Sequence, residues 1–153
     1  MMVNNIENFI GVFDNVIKPE TCKYYMDHFE KLKSVGFSYY REEQESKNLG
    51  KKDESINLMS PHRVSTLMWG KNSHNPNIRD LLDNFWKCYE VYVHEYNALS
   101  QHPQHDMLQV KIQKTLPTQG YHTWHFENSG LAQSNRVLTW LLYLDRKSTR
   151  LNS

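Results

Sequence analysis

Two residues near the end of the chain, His125 and Glu127, have the side chains and the spacing of a metal-ligand pair. They belong to the stretch Lys111–Glu127, KIQKTLPTQGYHTWHFE, in which an alternating polar and apolar run leads into a Pro/Gly turn. On a β-strand, positions i and i+2 face the same side, so both side chains would point into one site, whereas His122 would face away. An imidazole and a carboxylate are two of the three ligands in the facial triad that binds non-haem Fe(II).

Size, charge and cysteine content limit the class of protein to which this pair belongs. The 153 residues fit one domain, and 39% hydrophobic with 23% charged residues is ordinary for a soluble globular protein. A net charge of +1 gives no indication of nucleic acid or of a membrane surface as a partner. Cys22 and Cys88 lack metal-ligand spacing, which indicates reduced thiols and a cytoplasmic location. The N-terminus has no signal-peptide pattern, and no apolar run approaches the roughly 20 residues of a membrane helix.

Two amphipathic helices are predicted to position the site. The first covers Pro19–Val35, where apolar residues recur every three or four positions, and it should stop near Gly36. The second begins at Asn75-Pro76, with Asn as the N-cap and Pro at the first position, and continues to about Leu99. Its aromatic-rich face is expected to be buried against a sheet.

Three stretches are predicted to be extended. Ile6–Ile17 is interpreted as a strand with a turn, broken by Gly11 and by Asp14-Asn15. Leu108–Leu116 alternates apolar and polar residues, which predicts a half-buried strand that ends in a turn at Pro117–Gly120. Arg136–Leu144, RVLTWLLYL, is apolar on both faces and predicts a strand buried on both sides. This order of elements predicts an α+β fold with the β part last.

The remaining segments carry weaker signals. Arg41–Glu54, REEQESKNLGKKDE, is charged and aperiodic and is interpreted as an exposed loop. Ile56–Trp69 is ambiguous, and its second half, Val64–Trp69, is compatible with a strand. Gln101–Asp106 contains two histidines and an aspartate, and we interpret it as a polar linker rather than a metal site.

The run from Gln109 to Leu144 resembles the start of the catalytic jelly roll in prolyl-4-hydroxylase-like 2-oxoglutarate/Fe(II) dioxygenases. That family has a strand, a Pro/Gly turn, an aromatic residue, HxD, a variable loop, and a strand of the form R-x-x-T-x-L-x-Y-L. The lead-in Phe9–Cys22, FIGVFDNVIKPETC, resembles that of small members carried by tailed phages. One departure is Glu127, which stands where the family usually has Asp and makes the ligand one methylene longer. The matching parts here are Leu108–Leu116, Pro117–Gly120, Tyr121, His125-Phe126-Glu127, Asn128–Asn135, and Arg136, Thr139, Leu141, Tyr143 and Leu144.

The resemblance implies both a fold and a reaction. The fold would be α+β, with N-terminal helices packed on the first, incomplete part of a double-stranded β-helix (jelly roll). Fe(II) would be held by His125 and Glu127, and Tyr121 and Gln113 are candidate hydrogen-bond donors to 2-oxoglutarate, with ascorbate as a further cofactor. The reaction would couple oxidative decarboxylation of 2-oxoglutarate to hydroxylation of a substrate that the sequence does not identify. A phage-encoded member would act in the host cytoplasm.

The end of the chain departs from the family pattern. The family continues into strands that supply a distal His ligand and a basic residue for 2-oxoglutarate. Here Asp145–Ser153, DRKSTRLNS, resembles the translation of a sequencing-library adapter. We therefore expect residues 1–144 to be the N-terminal part of a dioxygenase domain, residues 145–153 to be a non-native tail, and the fragment to be inactive.

Other classes of protein fit the histidine spacing less well or leave the metal out. Cupins group their histidines as HxH, whereas His122 and His125 are spaced as HxxH. A zinc hydrolase using His122, His125 and Glu127 would need a helix or a bulged strand, and the β-branched and aromatic residues between them disfavour a helix. The alternative that stays open is a metal-free or zinc-binding jelly-roll protein with a structural or interaction role in a phage.

Overall fold

A computed structural model of the chain describes residues 3–41, 51–59, 75–101, 110–121, 134 and 136–145. In these segments two α-helices and three small antiparallel sheets form a mixed α+β fold, which confirms the predicted class at that level, and the described strands form no closed barrel. The elements in chain order are β1 (Val3–Glu7), β2 (Ile10–Asp14), α1 (Pro19–Ser34), β3 (Tyr39–Tyr40), β4 (Lys51–Lys52), β5 (Glu54–Met59), α2 (Pro76–Glu95), a 3-10 helix (Asn97–Gln101), β6 (Val110–Lys114) and β7 (Gly120–Tyr121).

Both predicted helices are confirmed, together with the signals that start and stop them. Helix α1 begins at its proline and ends before Gly36, whose φ of +80° suits a residue without a Cβ. Helix α2 is capped by Asn75, whose side chain accepts a hydrogen bond from the Asn77 backbone N–H at 3.0 Å. It ends four residues before the predicted Leu99, which lies in the 3-10 helix that follows.

The largest sheet has the strand order β3-β5-β6, and its register sorts the side chains into two faces. Ser55 of β5 lies opposite Tyr39 of β3 and Gln113 of β6, and residues opposite each other in a ladder share a face. The helix-side face, which packs on α1, carries Glu54, Ile56, Leu58, Val110, Ile112 and Lys114, and the polar face on the other side carries Tyr39, Ser55, Asn57, Lys111 and Gln113.

The hydrophobic core lies between α1 and the helix-side face. Tyr25 and Phe29, four residues apart on one stripe of α1, are both buried there. They pack with Ile56 and Val110 from the sheet and with Leu81 from α2. Burial of this apolar surface is the main term that holds the helices on the sheet.

The prediction of an exposed loop over Arg41–Glu54 is wrong for its last four residues. Lys51 and Lys52 form β4, and Asp53 and Glu54 are buried where β4 meets β5. Their charges can be buried because each carboxylate has one cationic and one hydroxyl partner. The middle of the chain therefore supplies the central strand, and the β part is not last. Residues 42–50 and the predicted strand Val64–Trp69 lie outside the described residues.

The prediction of a strand buried on both sides at Arg136–Leu144 is also wrong. Residues 136–145 have no regular secondary structure, although Trp140, Leu142 and Leu144 pack against the core. Between them Leu141 is 72% exposed and Tyr143 is 61% exposed, so burial alternates along the segment and is one-sided. A strand requires a hydrogen-bonded neighbour, and no described strand pairs with this segment.

The N-terminal stretch forms a hairpin whose turn lies elsewhere than predicted. Asn8 and Phe9, both with positive φ, make the turn, whereas Gly11 is inside β2 and close to the Tyr92 ring. The Tyr92 hydroxyl donates to the Phe9 carbonyl at 2.6 Å, and the Phe9 N–H donates to the Tyr96 hydroxyl at 2.9 Å. These bonds attach the hairpin tip to the C-terminal part of α2.

Candidate functional site

Strands β6 and β7 pair with two consecutive strands of one chain segment: β6 with β5, and then β7 with β4. In β6 the ladder reaches Lys114, opposite Glu54, and β7 resumes at Gly120, opposite Lys52. Both ladders are antiparallel, and the partner numbers fall steadily as the chain advances. Residues 115–119 are therefore an insertion opposite Asp53, and the chain keeps its direction from β6 into β7.

The predicted turn at Pro117–Gly120 is present within this insertion. The Gln119 N–H donates to the Leu116 carbonyl at 2.9 Å, and Thr118 has a φ of +71°. The turn does not reverse the chain, because Gly120 continues the same antiparallel alignment. Its effect is to take five residues out of the ladder and return the backbone to it next to Tyr121.

The structure describes only part of the predicted site. His122, His125 and Glu127 lie outside the described residues, so their roles stay predictions. Tyr121 is the last described residue before them, and its backbone position in β7 pairs with Lys51. Gln113 lies on the polar face of β6, where its Nε2 donates to Asp53 Oδ2 at 3.1 Å. Its assignment to 2-oxoglutarate also stays a prediction.

Asp53 is the centre of the polar groups that the structure brings together. It is 3% exposed and accepts hydrogen bonds from Ser55 Oγ at 2.8 Å and from Gln113 Nε2 at 3.1 Å. The Arg41 Nε lies 3.3 Å from its Oδ1. The Arg41 backbone N–H also donates to the Asp53 carbonyl at 3.2 Å, which extends the β3-β5 ladder by one residue. These partners satisfy the hydrogen-bonding capacity of a buried carboxylate, which would otherwise destabilise the fold.

Sequence reasoning missed Arg41 and Asp53, because both lie in the charged run that was interpreted as a loop. A usable signal was present immediately after this run. In ESINLM, Ser55 and Asn57 alternate with Ile56 and Leu58, which is the period of a strand with one polar and one apolar face. Extending that alternation back by one step puts Asp53 on the polar face.

A second buried carboxylate, Glu54, lies at the edge of the helix-side face. It accepts hydrogen bonds from Lys33 Nζ at 2.6 Å and from Ser38 Oγ at 2.7 Å. Burial acts to raise the pKa of Glu54, but the bonds from Lys33 and Ser38 outweigh it and hold the pKa below its usual range. The same bond raises the pKa of Lys33. Glu54 is thus a structural anion, paired across the core to α1.

Within the described segments, no group of three or more His, Cys, Asp or Glu side chains could hold a metal ion. Among the described helices, none is long and apolar enough to cross a membrane. The Asp53 network can orient hydrogen-bond donors and balance charge, but it offers one carboxylate and no imidazole. The metal ligands predicted from the sequence, His125 and Glu127, lie outside these segments.

Comparison with known proteins adds no relative from which a role could be transferred. No family model, no curated protein and no solved structure matches the chain.

Proposed function

We propose that the chain carries part of a 2-oxoglutarate- and Fe(II)-dependent oxygenase site, with His125 and Glu127 as metal ligands. The observation that carries the proposal is the order of β6, the turn and β7, which pair in turn with β5 and β4. Because the chain is back in a ladder at Tyr121, the HxE pattern begins four residues beyond a paired backbone position. A paired backbone is the support that two convergent ligands need.

The alternation of side chains along a strand indicates which face of the sheet the two ligands would share. Tyr121 lies opposite Lys51, and Lys51 has the same parity as Asp53 and Ser55 of the polar face. A strand that continued in register beyond Tyr121 would bring His125 and Glu127 to that same face.

The donor set fits the proposed ion. One imidazole nitrogen and one carboxylate oxygen are ligands of ferrous iron, and 2-oxoglutarate binds at open positions of such a centre. When bound, iron and 2-oxoglutarate would supply oxidative decarboxylation coupled to hydroxylation of the substrate. The protein residues would bind and orient: His125 and Glu127 the metal, and Gln113 and Tyr121 the co-substrate. On this proposal the β3-β5-β6 sheet belongs to the first part of a jelly roll.

A second candidate, a jelly-roll protein with a structural or interaction role, is favoured by the apolar surface at the end of the described chain. Leu141 and Tyr143 present most of their side chains to solvent, and Val137 of the same segment is half-exposed. Contiguous exposed apolar side chains mark interaction surfaces more often than catalytic ones. This candidate needs no metal, or zinc only, and it predicts no binding of 2-oxoglutarate.

An anaerobic titration with Fe(II) and 2-oxoglutarate tests the proposal. The chelate of the two gives a weak visible charge-transfer band, which zinc or an unliganded protein does not give. In a complete homologue that also carries the distal His ligand, we expect the band, its loss when the residue matching His125 or Glu127 is replaced with alanine, and its retention when the residue matching His122 is replaced, which is the matched control. A band that survives both ligand variants, or one that His122→Ala removes equally, would contradict the assignment.

A further inference from the structure

The side chain of Arg41 has more hydrogen-bond donors than the described chain has acceptors for it. It is 13% exposed, and its Nε lies 3.3 Å from Asp53 Oδ1. Among the residues that the structure describes, no other acceptor contacts this side chain. A guanidinium has five N–H groups, and nearly buried donors are normally bonded. The terminal nitrogens therefore require an acceptor from solvent or from a ligand.

Asp53 cannot satisfy the whole guanidinium, because its carboxylate is already shared. Ser55 Oγ and Gln113 Nε2 both donate to it, at 2.8 Å and 3.1 Å. The contact with Arg41 at 3.3 Å is longer than the roughly 2.8 Å of a strong charge-assisted bond. Asp53 thus balances the charge of Arg41 and restrains its position, and it leaves hydrogen-bonding capacity on the terminal nitrogens.

We propose that the polar face binds a small organic carboxylate, with the terminal nitrogens of Arg41 as its main donors. Gln113, whose amide has a second N–H, lies beside the same Asp53 and would add a hydrogen bond. Asp53 is a positioning residue that holds both donors. The guanidinium can pair with a carboxylate or with a phosphate, but a carboxylate group carries one negative charge, so Asp53 repels it less than it would repel the larger charge of a phosphate.

This site does not require a metal ion, and it goes beyond the proposed iron ligands. If the carboxylate belongs to 2-oxoglutarate, Arg41 also identifies how the proposed oxygenase holds its co-substrate. That identification rests on the proposed function, whereas carboxylate binding by Arg41 does not. The two are distinguishable because one is measured without metal and the other through the iron chelate.

The test is a titration of the metal-free, ¹⁵N-labelled chain with glutarate in the presence of a chelator, followed by amide chemical shifts. Glutarate has two carboxylates but no keto group, so it does not depend on a metal chelate. We expect saturable shifts at Tyr39, Asp53, Ser55 and Gln113. Loss of a charge-assisted pair should weaken binding by about 10-fold or more in Arg41→Met. Arg79→Met, which removes an exposed arginine from α2, should bind glutarate as the wild type does.

Additional variants keep the test decisive if Arg41→Met is unstable. The double variant Arg41→Met/Asp53→Asn removes both charges, so it should fold without an unpaired buried carboxylate and still fail to bind. Gln113→Leu should weaken binding less than Arg41→Met does. Unaltered binding in either Arg41 variant, or no saturable shift in the wild type, would show that water satisfies the guanidinium and would overturn the proposal. Phosphate binding as tight as glutarate binding would overturn the assignment to carboxylates.

Discussion

The two faces of the β3-β5-β6 sheet are made by alternate residues of the same strands, yet they are built from different chemistry. On the helix-side face, Ile56 and Val110 pack against Phe29 of α1, and the two ion pairs seen among the described residues of this face lie at its edge. On the polar face, Ser55 is completely buried and donates to a buried carboxylate. Both faces exclude water at the centre of β5, but only one of them does so with apolar side chains.

The difference agrees with the proposal that the polar face carries the binding residues. Apolar burial stabilises a fold without specific geometry, whereas buried polar groups are costly unless each finds a partner. A sheet that needed only stability would gain nothing from Asp53 and Arg41 in place of well-packed hydrophobic residues. The helix-side face has its one buried carboxylate, Glu54, at its edge, whereas the polar face has Asp53 and Arg41 next to the fully buried Ser55.

The largest expected loss of stability comes from a substitution in the core of the helix-side face. Replacing Ile56, which is 2% exposed, with alanine leaves a cavity between α1 and the sheet and should reduce the free energy of unfolding by about 2–5 kcal/mol. The adjacent residue gives the matched comparison on the polar face. Ser55→Ala removes one hydrogen bond to Asp53 and should cost about 1 kcal/mol. Urea unfolding followed by circular dichroism measures both, and equal losses would mean that the two faces do not differ in kind.

The next largest loss of stability is expected from a substitution at the centre of the polar face. Asp53→Asn removes the charge opposite Arg41 and disturbs the bonds from Ser55 and Gln113, so we expect a loss of about 1–3 kcal/mol in unfolding free energy. Asp83→Asn, at an exposed position of α2, is the control and should change stability by less than about 0.5 kcal/mol. A neutral Asp53→Asn would show that the network contributes no stability.

Local sequence patterns predicted the elements whose signals are contained within them. Pro19 and Asn75-Pro76 start helices in the structure as in the sequence, and the alternation around Ile112 gives β6. These features depend on capping, side-chain periodicity and backbone geometry over a few residues. They need no knowledge of the rest of the chain.

Features that depend on distant partners were predicted wrongly or were missed. Glu54 could be placed in a buried strand only by knowing that Lys33, 21 residues away, would neutralise it. Arg136–Leu144 has strong β propensity but pairs with no described strand, and propensity alone does not make a ladder. The contact between Gln113 and Asp53 joins residues 60 positions apart, so no local pattern predicts that contact, although the alternation in ESINLM places Asp53 on the polar face.

A change of pH sharpens the comparison because Glu54 is the titratable anion of the helix-side face. Its lowered pKa means that the folded state binds the proton less readily than the unfolded state does. The stability it contributes is therefore present above its unfolded pKa of about 4.3 and is lost as pH falls through the lower folded pKa. Glu54→Gln should be less stable than wild type at pH 7, and the difference should shrink towards pH 3.

Urea unfolding at a series of pH values measures this difference. His28 is a separate source of acid sensitivity. Burial, and to a smaller extent the charge of Lys31, lower its pKa, so the folded protein begins to lose the stability that neutral His28 contributes as the pH falls below about 6.5. Both proteins share that part of the curve, so it cancels in the comparison. Wild-type and Glu54→Gln curves that stay parallel from pH 7 to pH 3 would contradict the structural role of Glu54.

The smallest expected effect concerns Lys114, at the exposed edge of the helix-side face. Its Nζ lies 2.5 Å from Glu30 Oε1 and 5.9 Å from the centre of the Phe29 ring, and both members of the ion pair are largely exposed. Such pairs contribute about 0–1 kcal/mol, so Lys114→Met, which keeps most of the aliphatic stem, should cost no more than that. Because water and salt screen this pair, the cost should fall further in 1 M NaCl. A loss that is larger than 1 kcal/mol and insensitive to salt would show that the edge of the helix-side face is held by desolvated charge, as the polar face is.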